Sequence, residues 1–364
     1  MKTERAVFGT DADGREVHVW TLTCGRTTAR VMSLGATLID LRTPDAAGKI
    51  DSVVLRLDTL DDYLAGHPCF GSTCGRYANR IADGSFTLDG KTYTLARNNG
   101  KNHLHGGRVG FHQRLWKSEA VGRGSSDDFA GVRLTYHSPD GEEGYPGNLT
   151  VSITYRLSGD GRLEMEYEAT TDAPTVLNLT NHSYWNLNGG VRDIGDHTLR
   201  LNADRFLAVD SGLIPTGELR PVTGTPLDFT RDENPYTIGE RIGKLTVGDP
   251  AEPIGGYDHC FCINRPEGTD DDGAGECVLA ARVADPLSGR RMTVFSTEPG
   301  VQLYTANGMG RSGASGAHYG DHWGFCLELQ HYPDSPNCPL FPTTVLRPGR
   351  TYRQRTIHEF TTGQ

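Results

Sequence analysis

Leu149–Leu157 (LTVSITYRL) and the nearby Leu163–Ala169 (LEMEYEA) decide the fold class. In the first run Leu149, Val151, Ile153, Tyr155 and Leu157 alternate with polar residues. In the second, Leu163, Met165, Tyr167 and Ala169 alternate with Glu164, Glu166 and Glu168. Successive side chains of an extended chain point to opposite faces, so period two builds a strand with one dry face and one wet face. Val132, Leu134 and Tyr136 repeat the pattern upstream. Phe86–Leu95 (FTLDGKTYTL) sets Asp89-Gly90 between two alternating runs. This predicts a hairpin, because the turn needs positive φ and Gly supplies it. Helical periodicity is scarce, with Thr59–Leu64 the best candidate for a turn or two. Strands without intervening helices exclude a doubly wound or α/β-barrel layout. No repeat of 20–50 residues supports a propeller or solenoid. The expectation is an all-β chain, a large antiparallel sandwich with few short helices.

Composition agrees with this pattern. The 364 residues include 46 Gly and 19 Pro, about 18% of the chain, with no Gly-x-y period. Many short strands joined by turns have that composition. Domains of roughly 100–200 residues would divide this length into two or three. The acidic, Gly-rich stretches Gly122–Gly131 and Pro266–Glu276 nonetheless read as solvated insertions, since strand alternation resumes on both sides of each. One domain spanning residues 1–364 is therefore expected. The net charge of −10 argues against nucleic acid and anionic membrane surfaces, whose phosphates would repel it. No stretch approaches 18 apolar residues, and the N-terminal MKTERAVFGTDADG has no apolar signal core. The 8 cysteines are too sparse for a disulfide scaffold, and none makes a C-x-x-C pair. Cys260 and Cys262 would share one strand face, with too little reach for a relaxed disulfide. A cytoplasmic protein with reduced thiols is expected.

Several suggestive motifs fail on inspection. Gly84 to Gly90-Lys91-Thr92 has one residue too many for a phosphate-binding loop and lies in the hairpin. Around Ser312 and Ser315 no G-x-S-x-G completes a nucleophile elbow. His318 and His322 have helical zinc spacing, but Gly320 interrupts them and no Glu follows the first. His103 and His105 would share a strand face as two ligands, yet lack a convincing third partner. No metal site is expected.

What stands out is a set of strong hydrogen-bonding groups embedded among aromatics and glycines. The segments are Gly75–Ile81 (GRYANRI), Asn102–Gly107 (NHLHGG), Asn178–Leu187 (NLTNHSYWNL), Gly255–Phe261 (GGYDHCF), Gly300–Asn307 (GVQLYTAN) and Trp323–Asn337 (WGFCLELQHYPDSPN). Singly each has a structural explanation: an ion pair for Arg80, a hydrogen-bonded framework role for His105 or His182, a turn cap for Asp258, a strand partner for Gln302, core packing for Trp185 and Trp323. Glu328 resists this treatment, because Phe325–Leu329 is an apolar run of strand character. A carboxylate buried there costs several kcal/mol unless paired, hydrogen-bonded or neutralised. Its pKa would tend upward, as a general base working near neutrality requires. A structural salt bridge is the competing reading. Together the segments supply one base, two histidines, an Arg, an Asp, a Gln, an Asn and aromatic faces. That inventory suits proton transfer on a neutral polyol, with no cofactor loop.

At these residues the chain resembles the aldose 1-epimerases, or galactose mutarotases. The ordered series GRYANRIADGSF, HLHGG, GYPG, NLTNHSYWNL, GYDHCF, GVQLYTAN and LELQHYPDSPN, over about residues 70–340, carries the resemblance. The resemblance implies a single β-supersandwich domain and interconversion of the anomers of free aldohexoses such as galactose and glucose, without metal or organic cofactor. It implies Glu328 as catalytic base and His182 as catalytic acid. It also implies Asn79, Arg80, His105, Asp258 and Gln302 as sugar-binding residues, with Tyr184 lining the pocket. No motif residue is substituted. The stretch Arg311–Trp323 lies outside the shared motifs, and oligomeric state and preferred sugar are not legible. Two alternatives stay open: a catalytically silent sugar-binding protein on this fold, and an epimerase of phosphorylated hexoses. The latter needs a cationic cluster for which the segments offer mainly Arg76 and Arg80.

Overall fold

The computed structural model describes residues 1–122, 128–159, 161–245, 255–266 and 275–363. The alternating segments form strands Leu149–Ser158 and Arg162–Thr171, paired antiparallel with Ile153 opposite Tyr167. Upstream, Phe129–Ser138 pairs with the first of these, so the end of the stretch expected to be an insertion is already strand. Residues 123–127 and 267–274, the remaining centres of the two expected insertions, lie outside the described residues. The dry face of Arg162–Thr171 enters the main core through Leu163, Met165, Tyr167 and Ala169. Its wet face is a charge ladder in which Arg156 meets Glu164 at 3.1 Å and Glu166 at 2.7 Å. The Asp89-Gly90 hairpin forms between Ser85–Leu88 and Lys91–Thr94, with φ of 50° and 78° at its two turn residues.

Among the described residues the strands assemble into one eight-stranded sheet, two five-stranded sheets and five two-stranded ribbons, with every strand pair antiparallel. The first five-stranded sheet runs in chain order from Lys2 to Ser52 and lays Trp20, Leu22, Val31 and Leu38 on the eight-stranded sheet. The second contains, side by side, the strands Asp258–Cys262, Gly300–Tyr304 and Cys326–Gln330. Phe261, Val301, Leu303, Leu327 and Leu329 from these strands join the same hydrophobic cluster. The described residues include two α-helices of five residues each, Leu60–Leu64 and Ile238–Ile242, both opened by threonine capping boxes. The first follows the Thr59–Leu64 expectation. The second is too short to carry a periodic signal.

The second five-stranded sheet positions the polar residues singled out in the sequence. Its register places Gln302 opposite Glu328 and Cys260, and Tyr304 opposite Cys326 and Asp258. Residues directly opposite in an antiparallel pair share a face. One face is therefore the apolar floor of the core, and the other carries Asp258, Gln302, Tyr304, Cys326 and Glu328 together. A one-residue slip in register would exchange the two faces, which the apolar burial forbids.

Candidate active site

Each polar side chain reaches the site from a different local device. Glu328 stands on the edge strand of the second five-stranded sheet and Gln302 on the strand beside it. His182 directly follows the two-residue strand Thr180–Asn181, held by its amide to Ser72 O (2.9 Å) and its carbonyl to Gly71 N (3.0 Å). Three residues on, Trp185 bridges Val54 and Phe325, which fixes this run between two sheets. Trp185 is a core residue, packed on His358 and Phe360. Arg80 and Leu104 face one another in a short ladder whose flanks, Asn79 and His105, take φ of 61° and 50°. These flanks lock together, His105 N donating to Asn79 O and Asn79 N to His105 Nδ1, both at 3.1 Å.

The resulting geometry is a dry floor under a wetter rim. His182 Nε2 lies 3.6 Å from Glu328 Oε1, with the two side chains only 7% and 3% exposed. Glu328 Oε2 is buried and without a hydrogen-bond partner. Above them Gln302 Nε2 donates to Asp258 Oδ1 at 2.7 Å. Arg80 reaches Asp258 Oδ2 at 3.5 Å and Asn99 Oδ1 at 3.2 Å. Arg80 and Asp258 are 10% and 18% exposed, so the charged pair faces the opening. The buried Gln302 Oε1, like Glu328 Oε2, is an acceptor that no protein group uses. Unpaired buried acceptors are costly, and they suit a ligand rich in hydroxyl donors. Tyr184 is buried with its ring stacked on the His182 imidazole at 5.0 Å between centroids, so it supports the histidine from one ring face.

Burial acts oppositely on the two floor groups. It pushes the Glu328 carboxyl well up, with the nearby Asp258 charge adding to the rise and Arg80 opposing it. Burial pulls His182 down to about 4, opposed by its own carbonyl and by Asp258. Both groups thus favour their neutral forms in the open site, and the pair holds one mobile proton in either arrangement. His105 is pulled well down, by burial first and then by His182 and Arg80.

One nitrogen from each of His105 and His182 and an oxygen of Glu328 all lie within 4.8 Å of one another, a spacing that also suits a metal ion. The His105 tautomer opposes such a role. Its Nδ1 accepts the Asn79 amide, so in the neutral ring Nε2 carries the proton and is a donor rather than a ligand. The structure does not bring His103 to the site: its ring is pinned by Ala96 O at 2.7 Å and the Tyr145 hydroxyl at 2.6 Å. The positive φ of His105 ends strand periodicity between the two histidines. His318 and His322 lie on a short strand and a turn rather than a helix. Arg311–Trp323 forms a hairpin that packs on the 56–70 segment, with Arg311 over the Phe70 ring and bonded to Gly66 O.

Three participants escaped the sequence reading. Cys326 and Tyr304 sit two residues from Glu328 and Gln302 on the same strands, so period two places them on the site face. Asn99, which holds Arg80, lies in a loop and carries no such signal.

The aldose 1-epimerase family model matches residues 18–359. The chain belongs to the aldose 1-epimerase family. The galactose mutarotase of Sus scrofa is 42% identical over 364 residues, covering 99% of each chain. That of Homo sapiens is 41% identical over 360 residues, covering 98% of each. The aldose 1-epimerase of Escherichia coli is 36% identical over 333 residues, covering 91% of each. Among solved structures, an aldose epimerase homologue from C. elegans superposes with TM-score 0.82 at 29% identity, and galactose 1-epimerase from Lactobacillus acidophilus with 0.82 at 26%, each over 100% of both chains. An all-β, galactose mutarotase-like fold is what the aldose 1-epimerases share with this chain.

Proposed function

We propose that the protein is an isomerase, an aldose 1-epimerase that interconverts the α and β anomers of free aldohexoses such as galactose and glucose. The observation that carries this reading is the dry Glu328–His182 pair, 3.6 Å apart on the floor of a polar cleft. Glu328 takes the proton from the C1 hydroxyl while His182 gives one from Nε2 to the ring oxygen. The C1–O5 bond breaks with its electron pair going to O5, and the C1–O1 bond becomes a carbonyl. A half-turn about C1–C2 presents the other carbonyl face. Reclosure returns both protons, so no net proton is consumed. A sugar hydroxyl donating to the unpartnered Glu328 Oε2 favours the ionised Glu328 and protonated His182 from which the step starts.

The remaining residues hold the ring. Arg80 and the Nε2–H of His105 steady the negative charge that develops on the ring oxygen. Asp258, Gln302 and Asn79 bind hydroxyls, and Tyr184 backs His182. The phosphorylated-hexose alternative loses support because Arg76 is buried, with its guanidinium bonded to the carbonyls of Ser138, Pro139, Pro146 and Gly147. That leaves Arg80 for a dianion, itself committed to Asp258 and Asn99. One domain carries the function in this reading, supported by a hydrophobic cluster that runs from Trp20 to Phe360. A reducing, cytoplasmic setting is supported by eight cysteines that are all free thiols. No helix among the described residues is long and apolar enough to cross a membrane.

Polarimetry of freshly dissolved α-D-galactose and α-D-glucose tests the function. Both should relax to equilibrium faster in proportion to added protein. Unchanged relaxation for every free aldose, with glucose 6-phosphate accelerated instead, would reverse the substrate assignment. Unchanged relaxation with thermal protection by sugar would favour the binding-protein reading.

A further inference from the structure

One contact of His182 is not used by the proton transfers themselves. Cys326 Sγ lies 3.4 Å from His182 Nδ1, with both side chains buried. Cys326 precedes Glu328 by two residues on the strand Cys326–Gln330, so the same period that aims the carboxylate at Nε2 aims the sulfur at Nδ1. One strand thus grips both edges of the imidazole. Tyr184 stacks on the ring face, and Tyr304, opposite Cys326 in the ladder, meets the ring edge-on at 6.5 Å.

We propose that Cys326 is a positioning residue for His182, its sulfur accepting the Nδ1–H hydrogen bond so that Nε2 alone exchanges the catalytic proton. This rests on the assignment of His182 as the acid. The thiol is not ionised, since burial and then the Glu328 charge push it well up. A neutral thiol both donates and accepts weakly. If S–H donated to Nδ1, the neutral ring would keep its proton on Nε2, and giving that proton to the ring oxygen would leave an imidazolate. With sulfur as acceptor, Nδ1 stays protonated throughout, and the ring passes only between imidazolium and neutral imidazole. The other titratable groups near the ring are Glu328, the Tyr184 and Tyr304 hydroxyls, Asp258 two strands away in the same sheet, and His105, His112 and His67. The histidines oppose the imidazolium, which makes an acceptor at Nδ1 useful.

The test compares the full chain with Cys326→Ala and Cys326→Ser on α-D-galactose. In the alanine variant kcat should fall about 3–10-fold, with KM held within about twofold, and the serine hydroxyl, a better acceptor, should restore most of the loss. The alkaline limb of the kcat profile, where His182 loses its proton, should move to lower pH in Ala and to higher pH in Ser. Nitrogen-15 spectra of histidine-labelled protein should show neutral His182 protonated on Nδ1 in wild type and Ser, and mixed in Ala. Wild-type kcat and tautomer in Cys326→Ala would overturn the proposal. So would equal losses in both variants with an unmoved limb, the signature of packing alone. If the alanine variant does not fold, the direction of the Ser shift decides. Full activity in His182→Asn would instead remove the acid assignment, and the spectra would still report on the thiol contact.

Discussion

Glu328 is the residue on which chemistry and stability conflict. A carboxyl held dry beside Asp258, with one oxygen unpartnered, favours the neutral form, and the fold tolerates it only because the reaction needs a base there. Glu328→Gln should therefore raise the melting temperature at pH 7, by about 2 °C for each kcal/mol of relieved penalty in a chain of this length, while activity collapses. A lowered melting temperature would show that the carboxylate is structurally satisfied. Asp258 plays a different part, since it ties Gln302 and Arg80 together at the rim and touches no reacting atom. Asp258→Asn should raise KM for galactose about tenfold with a smaller change in kcat, read from initial rates over a range of sugar concentrations. At this scale the sequence was most informative. An acid inside an apolar run is legible as an anomaly, whereas the unpaired state of its second oxygen is not.

The elements explain why eight residues scattered from 79 to 328 converge. Strand alternation made the long strands and the Asp89-Gly90 hairpin legible, because a period of two and a turn residue are local properties. The pairing of Asp258–Cys262 with Gly300–Tyr304, and of that strand with Cys326–Gln330, is not local. It determines that Gln302 lies beside Glu328. The reversal at His105 was equally hidden, since a histidine at positive φ has no sequence mark. Its neighbour Gly106, at φ 82°, lies so close to Gly75 that an added Cβ would sit 1.7 Å from Gly75 O. Gly106→Ala should cost upward of about 2 kcal/mol in denaturant unfolding and displace His105 from Asn79, lowering kcat as well as stability. Wild-type unfolding and activity would mean that this turn does not position the site.

The molecule as a whole buries histidines in their neutral form. Burial holds His67 and His358 down to about 3, and His112, His182 and His197 to about 4. In the unfolded chain each takes a proton near pH 6.5, so between about pH 6.5 and 4 the unfolded state binds more protons. The stability these groups contribute is present above pH 6.5 and is lost as pH falls through that window. Glu328 and Asp334, whose carboxyls burial raises, act in the opposite sense, but two carboxyls do not offset five imidazoles. The melting temperature should fall steeply from pH 6.5 to 4.5. The fall should be shallower in His358→Phe, which removes a core imidazole that packs on Trp185 away from the active site. A flat profile across that range would contradict the burial argument. The central claim is the proton exchange between Glu328, His182 and the sugar, and it has one most direct measurement. Polarimetric rates on α-D-galactose are compared for wild type, Glu328→Gln and His182→Asn at matched folded concentration. Each variant should lose about 10²–10⁴-fold in kcat. Retention of wild-type kcat by Glu328→Gln would contradict the account.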